Sequence, residues 1–157
     1  MTENLAFEQV NISQFFIAGI AVKTTNKDGQ ARKDIGDLWT KFMTENISQQ
    51  ITGKIADDVY CVYTDYESDY TGHYTAVLGC AVKDPGDAMG NFYTALIPGG
   101  DYWVCSPKGK FPESVGDAWM EIWETDISRK YTSDYECYKA DAKSFEDTKV
   151  EIYLSVK

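Results

Sequence analysis

Apolar residues fall at helical spacing in two segments of nearly identical pattern. Ile35, Leu38, Trp39, Phe42 and Met43 stand at i, i+3, i+4, i+7 and i+8, on one face of an α-helix, and Val115, Ala118, Trp119, Ile122 and Trp123 repeat that face. Asp34 and Ser114 precede the two runs as N-caps. Gly, Asp and Trp stand in register between the copies, at an offset of 80 residues from Ile35 to Val115. Around the first helix, Gln14 to Thr25, Val59 to Glu67 and Tyr74 to Val82 are aromatic and β-branched runs that read as strands. The last two are joined by the hairpin signal Ser68-Asp69-Tyr70-Thr71-Gly72. Around the second helix the strands are Asn91 to Ile97, interrupted at Pro98-Gly99-Gly100, then Asp101 to Ser106, Tyr135 to Lys139 and Val150 to Val156.

Each half therefore reads strand, helix, strand, strand, and Lys83-Asp84-Pro85-Gly86-Asp87 is the join. A period this long, present twice, is a duplication and not a solenoid. The fold class this predicts is α+β, an antiparallel sheet with helices on one face. It is organised as a single domain over 1–157 with pseudo-repeats at about 11–82 and 91–156. Two like halves face each other across a cleft, and clefts bind ligands.

Composition narrows the functions. With 157 residues, 43% of them apolar and 14% aromatic, the chain can bury a core. A net charge of −10 without a basic stripe argues against nucleic acid as a direct partner. The same charge attracts cations, although an acidic total also serves solubility alone. The apolar run from Phe15 to Val22 is too short to span a bilayer, and no basic leader precedes it, so neither a membrane nor export is expected. Cys61, Cys80, Cys105 and Cys137 lack metal or redox spacing; they read as reduced, buried thiols of a cytoplasmic protein. Cys61 and Cys80 lie about equally far from the hairpin turn and so are candidates to face each other. No metal or cofactor motif is present: Asp65, Glu67 and Asp69 alternate as in a calcium loop, but its closing ligand is missing. His73 beside Gly72 has no nucleophile near it in sequence and reads as a turn histidine.

The copies are most informative where they disagree. Aligning Tyr60-Cys61-Val62-Tyr63 with Tyr135-Glu136-Cys137-Tyr138 keeps both tyrosines and sets Glu136 against Cys61. Strand alternation puts Glu136 and Tyr138 on one face. An acid beside aromatic rings offers a cation both charge and cation–π attraction. The competing reading is an edge-strand carboxylate facing water. Trp39 and Trp119 hold equivalent helical places and either flank a site on the pseudo-axis or belong to the core.

These residues together resemble the GyrI-like effector-binding domains, which occur alone and as the ligand-sensing part of AraC-type and MerR-type regulators. The resemblance covers essentially the whole chain. It rests on Asp34-Ile35-Gly36-Asp37-Leu38-Trp39, on Tyr63-Thr64-Asp65-Tyr66-Glu67 through Leu78-Gly79-Cys80, and on Ile122-Trp123. It also rests on Tyr135-Glu136-Cys137-Tyr138 and on the terminal Val150-Glu151-Ile152-Tyr153-Leu154-Ser155-Val156. The chain is especially similar to stand-alone effector-binding proteins carried on integron cassettes. The resemblance implies tandem duplicated βαββ units of SHS2 type around a central ligand groove. It implies a drug-like lipophilic cation as partner, with Glu136 in the groove and Tyr138, Trp39, Trp119, Tyr63 and Tyr74 as aromatic walls. It leaves as alternatives a hydrolase of reactive small molecules using Glu136 and an inhibitor of DNA gyrase. No DNA-binding segment is expected beside the duplicated unit, so direct control of transcription is not expected, and a regulatory protein is a further candidate partner.

Overall fold

The computed structural model describes residues 6–68, 71–84, 92–107, 113–139 and 148–157. Strands β1 (Glu8–Ile12), β2 (Phe15–Thr25), β3 (Val59–Thr64), β4 (His73–Val82), β5 (Tyr93–Ile97), β6 (Gly100–Cys105), β7 (Ser133–Tyr138) and β8 (Val150–Ser155) form one antiparallel sheet. Their order is β1-β6-β8-β7-β3-β4-β2-β5. Helices α1 (Gln30–Thr44) and α2 (Ile47–Gln50) follow β2, and α3 (Glu113–Glu124) follows β6.

Period-two alternation gives the sheet two apolar faces. On one, Leu38 and Phe42 of α1 pack with Ala18, Cys61, Leu78 and Cys80, while Ala118 and Ile122 of α3 pack with Cys105, Ile152 and Leu154. Phe42 and Ile122 are 2% and 1% exposed, and such burial contributes roughly 1.5–3 kcal/mol per side chain. The sheet curls around its other face, where Ile17, Val62, Val77, Ile97, Tyr102 and Tyr135 form a second core. The curl brings Phe15 of β2 against Tyr135 of β7, ring centroids 5.6 Å apart, although two strands separate them in the sheet.

The centre of the sheet is the β3–β7 pair. From it β3-β4-β2 run outward on one side as β7-β8-β6 do on the other. Cys61 and Glu136 are direct cross-strand partners at this seam. Matching positions of two like hairpins meet only on the axis that relates them, so a pseudo-two-fold axis passes between Cys61 and Glu136.

The structure corrects the sequence reading in several places. Strand β1 was not expected; it is short, polar and outermost, so its pattern is weak. It pairs with β6 while β5 pairs with β2, so each half lends its outer strand to the other. Helix α1 begins at Gln30, not after Asp34, because the apolar face runs a turn further back to the buried Ala31. Asp34 is therefore not the N-cap; inside the helix it accepts hydrogen bonds from Thr24 Oγ1 at 2.8 Å and from Gln30 Nε2. Ser114 is not a cap either but a buried first-turn residue of α3. Met43 is 65% exposed, because Ile47 and Ile51 occupy the core where the last turn of α1 leaves the sheet. Asp69 of the calcium-loop comparison, Tyr70 of the hairpin signal, Pro85-Gly86-Asp87 of the join and Asn91 of the expected fourth strand lie outside the described residues.

Cys61 pairs with Leu78, which puts Cys80 two residues out of register with it. All four cysteines are free and buried. Alkylation of the native protein should leave four thiols unmodified and alkylation in denaturant should modify all four, as read by intact mass. A mass two units low with two unreactive cysteines after denaturation would reveal a disulfide and overturn this expectation.

Candidate functional site

Strand β7 lies inside the sheet, between β8 and β3, and its Glu136 is 3% exposed. The edge-strand alternative is thus excluded. The side chain points to the helix-covered face with its cross-strand partners Cys61 and Ile152, both of which pack with the helices. A buried carboxylate needs donors, since desolvation without them is strongly unfavourable. Three aromatic residues supply them. Oε2 accepts from the Tyr63 hydroxyl at 2.8 Å and from Trp119 Nε1 at 2.6 Å, and Oε1 accepts from the Tyr138 hydroxyl.

The pseudo-axis explains why these residues converge. Tyr63 and Tyr138 are equivalent positions on β3 and β7, each two residues beyond the axial pair, so their hydroxyls approach the axis from opposite sides. The helices add a tryptophan each, and each packs on the tyrosine of the other half. Trp39 meets Tyr138 edge to face at 4.9 Å between centroids, and Trp119 meets Tyr63 at 5.4 Å. Symmetry ends at the carboxylate, which only the second half possesses. Tyr74 stands one ring further out, against Tyr63 at 5.7 Å, and its hydroxyl donates to Asn26 Oδ1 at 2.6 Å. All six residues singled out in the sequence thus fall in one cluster, with Tyr74 and Trp39 touching the tyrosines and not the acid.

Burial pushes the Glu136 carboxyl above its ordinary value of 4.5, against the stabilisation of its charged form by Tyr138, Trp119 and Tyr63. Burial likewise holds the Tyr63 and Tyr138 phenols well above the usual range, so both remain donors. An acid with a raised folded pKa binds its proton more tightly in the folded than in the unfolded chain. Its contribution to stability is complete below the unfolded value and declines as pH rises through the folded one. Thermal unfolding at a series of pH values from about 4.5 upward should show this decline in the wild type and a flatter profile in Glu136→Gln. Equal slopes would assign the titration elsewhere.

The sequence reading missed a second polar group on the same face of β7. Asp134 is completely buried and accepts from Arg129 Nη2 at 2.7 Å, from the Tyr66 hydroxyl at 2.6 Å, and from the backbone N–H and hydroxyl of Ser155 at 2.8 and 3.1 Å. Its position two residues before Glu136 was the available signal, but an aspartate beside a turn looks solvated. A cavity of about 330 Å³ lies elsewhere, near the start of α3, lined by residues that include Ser106, Ser114, Lys139 and Glu151. It shares none of the Glu136 cluster, where rings cover the carboxylate, and we attach the chemistry to the cluster. Among the described residues no group of His, Cys, Asp or Glu is arranged to hold a metal, and no helix is long and apolar enough to cross a membrane.

A curled eight-stranded antiparallel sheet with a few helices is the architecture of effector-binding domains of the GyrI-like type. Residues 10–156 match the model of the integron-associated effector binding protein family, and the chain belongs to that family. The structure is similar to an integron cassette protein, VCH_CASS2, from the mobile metagenome of Vibrio cholerae. That comparison gives a TM-score of 0.73 at 29% identity and covers 99% of this chain and 100% of that one. It also shares its fold with SAV2435, solved bound to tetraphenylphosphonium, with a TM-score of 0.78 at 17% identity over 97% of this chain and 94% of that one. The proposed transcriptional regulator YobU of Bacillus subtilis (strain 168) is 26% identical over 145 residues, which is 89% of this chain and 91% of that protein.

Proposed function

We propose that this protein binds lipophilic organic cations at the β3–β7 seam, with Glu136 as counter-charge and Tyr63, Tyr138, Trp39, Trp119 and Tyr74 as aromatic walls. One observation carries the reading: a carboxylate 3% exposed is held by three neutral donors, and among the described residues no cationic side chain is ion-paired with it. A desolvated acid favours a cation that itself loses little hydration, and ring faces add attraction of about 0.5–2 kcal/mol each. Entry of such a ligand exchanges the phenol or indole donors for the ligand's charge. That SAV2435, which shares the fold, holds tetraphenylphosphonium supports the same ligand class here.

The four free buried thiols support work in the cytoplasm, and the net charge of −10 supports a protein, not DNA, as the partner of any regulatory role. Calorimetric titration with tetraphenylphosphonium and with neutral triphenylphosphine oxide tests the ligand. Saturable binding of the cation and much weaker binding of the neutral compound is the expected result. Equal affinities, or no binding of the cation, would overturn it.

A further inference from the structure

We propose that Asp134 is a positioning residue for the binding site: it captures Arg129 and keeps that guanidinium from pairing with Glu136, so that the site retains one uncompensated carboxylate for its ligand. This deepens the cation-binding reading and rests on it.

Arg129 lies between α3 and β7, with its side chain 4% exposed, and its Nη2 sits 2.7 Å from Asp134 Oδ2. The guanidinium carbon is 4.3 Å from the centre of the Tyr131 ring and 5.8 Å from that of Trp119, the indole whose Nε1 donates to Glu136. Asp134 and Glu136 stand on one face of β7, about 7 Å apart along the strand. The cation is therefore one indole away from the acid.

Among the described residues the hydrogen bond of the Arg129 guanidinium goes to Asp134, and its other contacts are with ring faces. Its Nε and Nη1 are buried and have no hydrogen-bond partner among the described residues. A guanidinium with spare donors beside an uncompensated carboxylate is an ion pair waiting to form. What prevents it is Asp134, which is itself fastened by Tyr66 and by both donors of Ser155. Tyr131 supports the arrangement from the other side: its φ of 56° is a left-handed conformation uncommon for an aromatic residue, and it accompanies a ring laid on the guanidinium.

The titratable and charged groups around Glu136 are Cys61 and Tyr63 from β3, Tyr74 from β4, Tyr138 and Asp134 from β7, and Arg129 from the connection after α3, with Trp119 of α3 as the further donor. Among these, removing Arg129 or Asp134 singly changes the local charge by one unit, and removing both leaves it unchanged, in each case without removing a donor to Glu136.

The test compares Asp134→Asn, Arg129→Gln and the double variant with wild type, using calorimetry with tetraphenylphosphonium and, without ligand, carbon-13 detection of the Glu136 carboxyl through a pH titration. Asp134→Asn should bind the cation about tenfold more weakly, the size of one charge acting across a partly buried 7–8 Å gap. Arg129→Gln should bind it more tightly, and in the double variant the loss seen in Asp134→Asn should be rescued. The Glu136 midpoint should fall in Asp134→Asn and rise in Arg129→Gln. A pair that merely braces the fold would weaken binding in all three variants and leave the midpoint unmoved, and that pattern would overturn the proposal. If Asp134→Asn fails to fold, Arg129→Gln decides: unchanged or weaker binding with an unmoved midpoint sinks the idea. If wild type binds no cation, the ligand reading fails, while the carboxyl midpoints still report whether Arg129 is held off Glu136.

Discussion

Glu136→Gln is expected to weaken binding of tetraphenylphosphonium by about 1.5–3 kcal/mol, the range for hydrogen-bonded charge interactions, and to leave a neutral compound of similar shape nearly unaffected. The substitution keeps the volume of a side chain that is 3% exposed, so the aromatic frame has no new cavity to fill. It does introduce an amide donor where Tyr63, Trp119 and Tyr138 all donate, and the Gln side chain will satisfy them unevenly. Any loss common to the cation and the neutral compound measures that rearrangement, and the difference between them measures charge. Equal cation affinities in wild type and variant would falsify the role given to Glu136. The hydrolase alternative makes a different demand, since an acid raised toward neutrality is suited to exchanging protons with water. Under it, Glu136→Gln would bind as wild type does and lose turnover of an electrophilic substrate.

Gly79→Ala should destabilise the protein by about 3 kcal/mol or more, at the upper end of overpacking effects. Gly19 and Gly79 face each other in the β2–β4 ladder. A Cβ added at Gly79 would lie 2.1 Å from the Ala18 carbonyl oxygen, and one at Gly19 would lie 2.0 Å from that of Leu78. These are backbone atoms in the middle of the longest ladder, so no rotamer change relieves the clash; the strands themselves must separate. The affected ladder carries Leu78 and Cys80 into the core beneath α1. For a chain of this size the loss corresponds to a fall in Tm of roughly 6–12 °C, measurable by calorimetry. A variant with unchanged Tm would mean that the strands tolerate separation and that the close approach is incidental.

How much of the protein was legible beforehand can be judged residue by residue. Helices α1 and α3 were visible because only a helix gathers apolar residues spaced three and four apart onto one face, and their tryptophans stand where that period put them. The termini of these helices were misread. Asp34 and Ser114 have the chemistry of caps, but side-chain chemistry cannot say which candidate residue a helix uses when the apolar pattern continues past it. Strand β1 was invisible because its five residues are mostly polar and acquire their meaning from β6, about ninety positions away. The exchange of outer strands likewise has no local signature.

Glu136 could be singled out because one copy of a repeated segment broke its pattern; comparison within the chain served as a substitute for comparison between proteins. Its burial could not be foreseen. Whether a strand is central or peripheral depends on pairing between distant segments, and Glu136 is enclosed because β3 and β7 meet on the axis relating the halves. Asp134 and Arg129 show the same limit more sharply. An aspartate after Thr132-Ser133 and an arginine before Lys130-Tyr131 look like ordinary loop charges, and the buried pair exists only once the connection after α3 folds back across Trp119. Sequence alone determined the secondary-structure periods, the repeat and the one position where charge breaks it, because these depend on near neighbours along the chain. Tertiary structure decided which strands are central, which charges are buried and which rings meet the carboxylate, because desolvation and ring contacts are properties of distance in space.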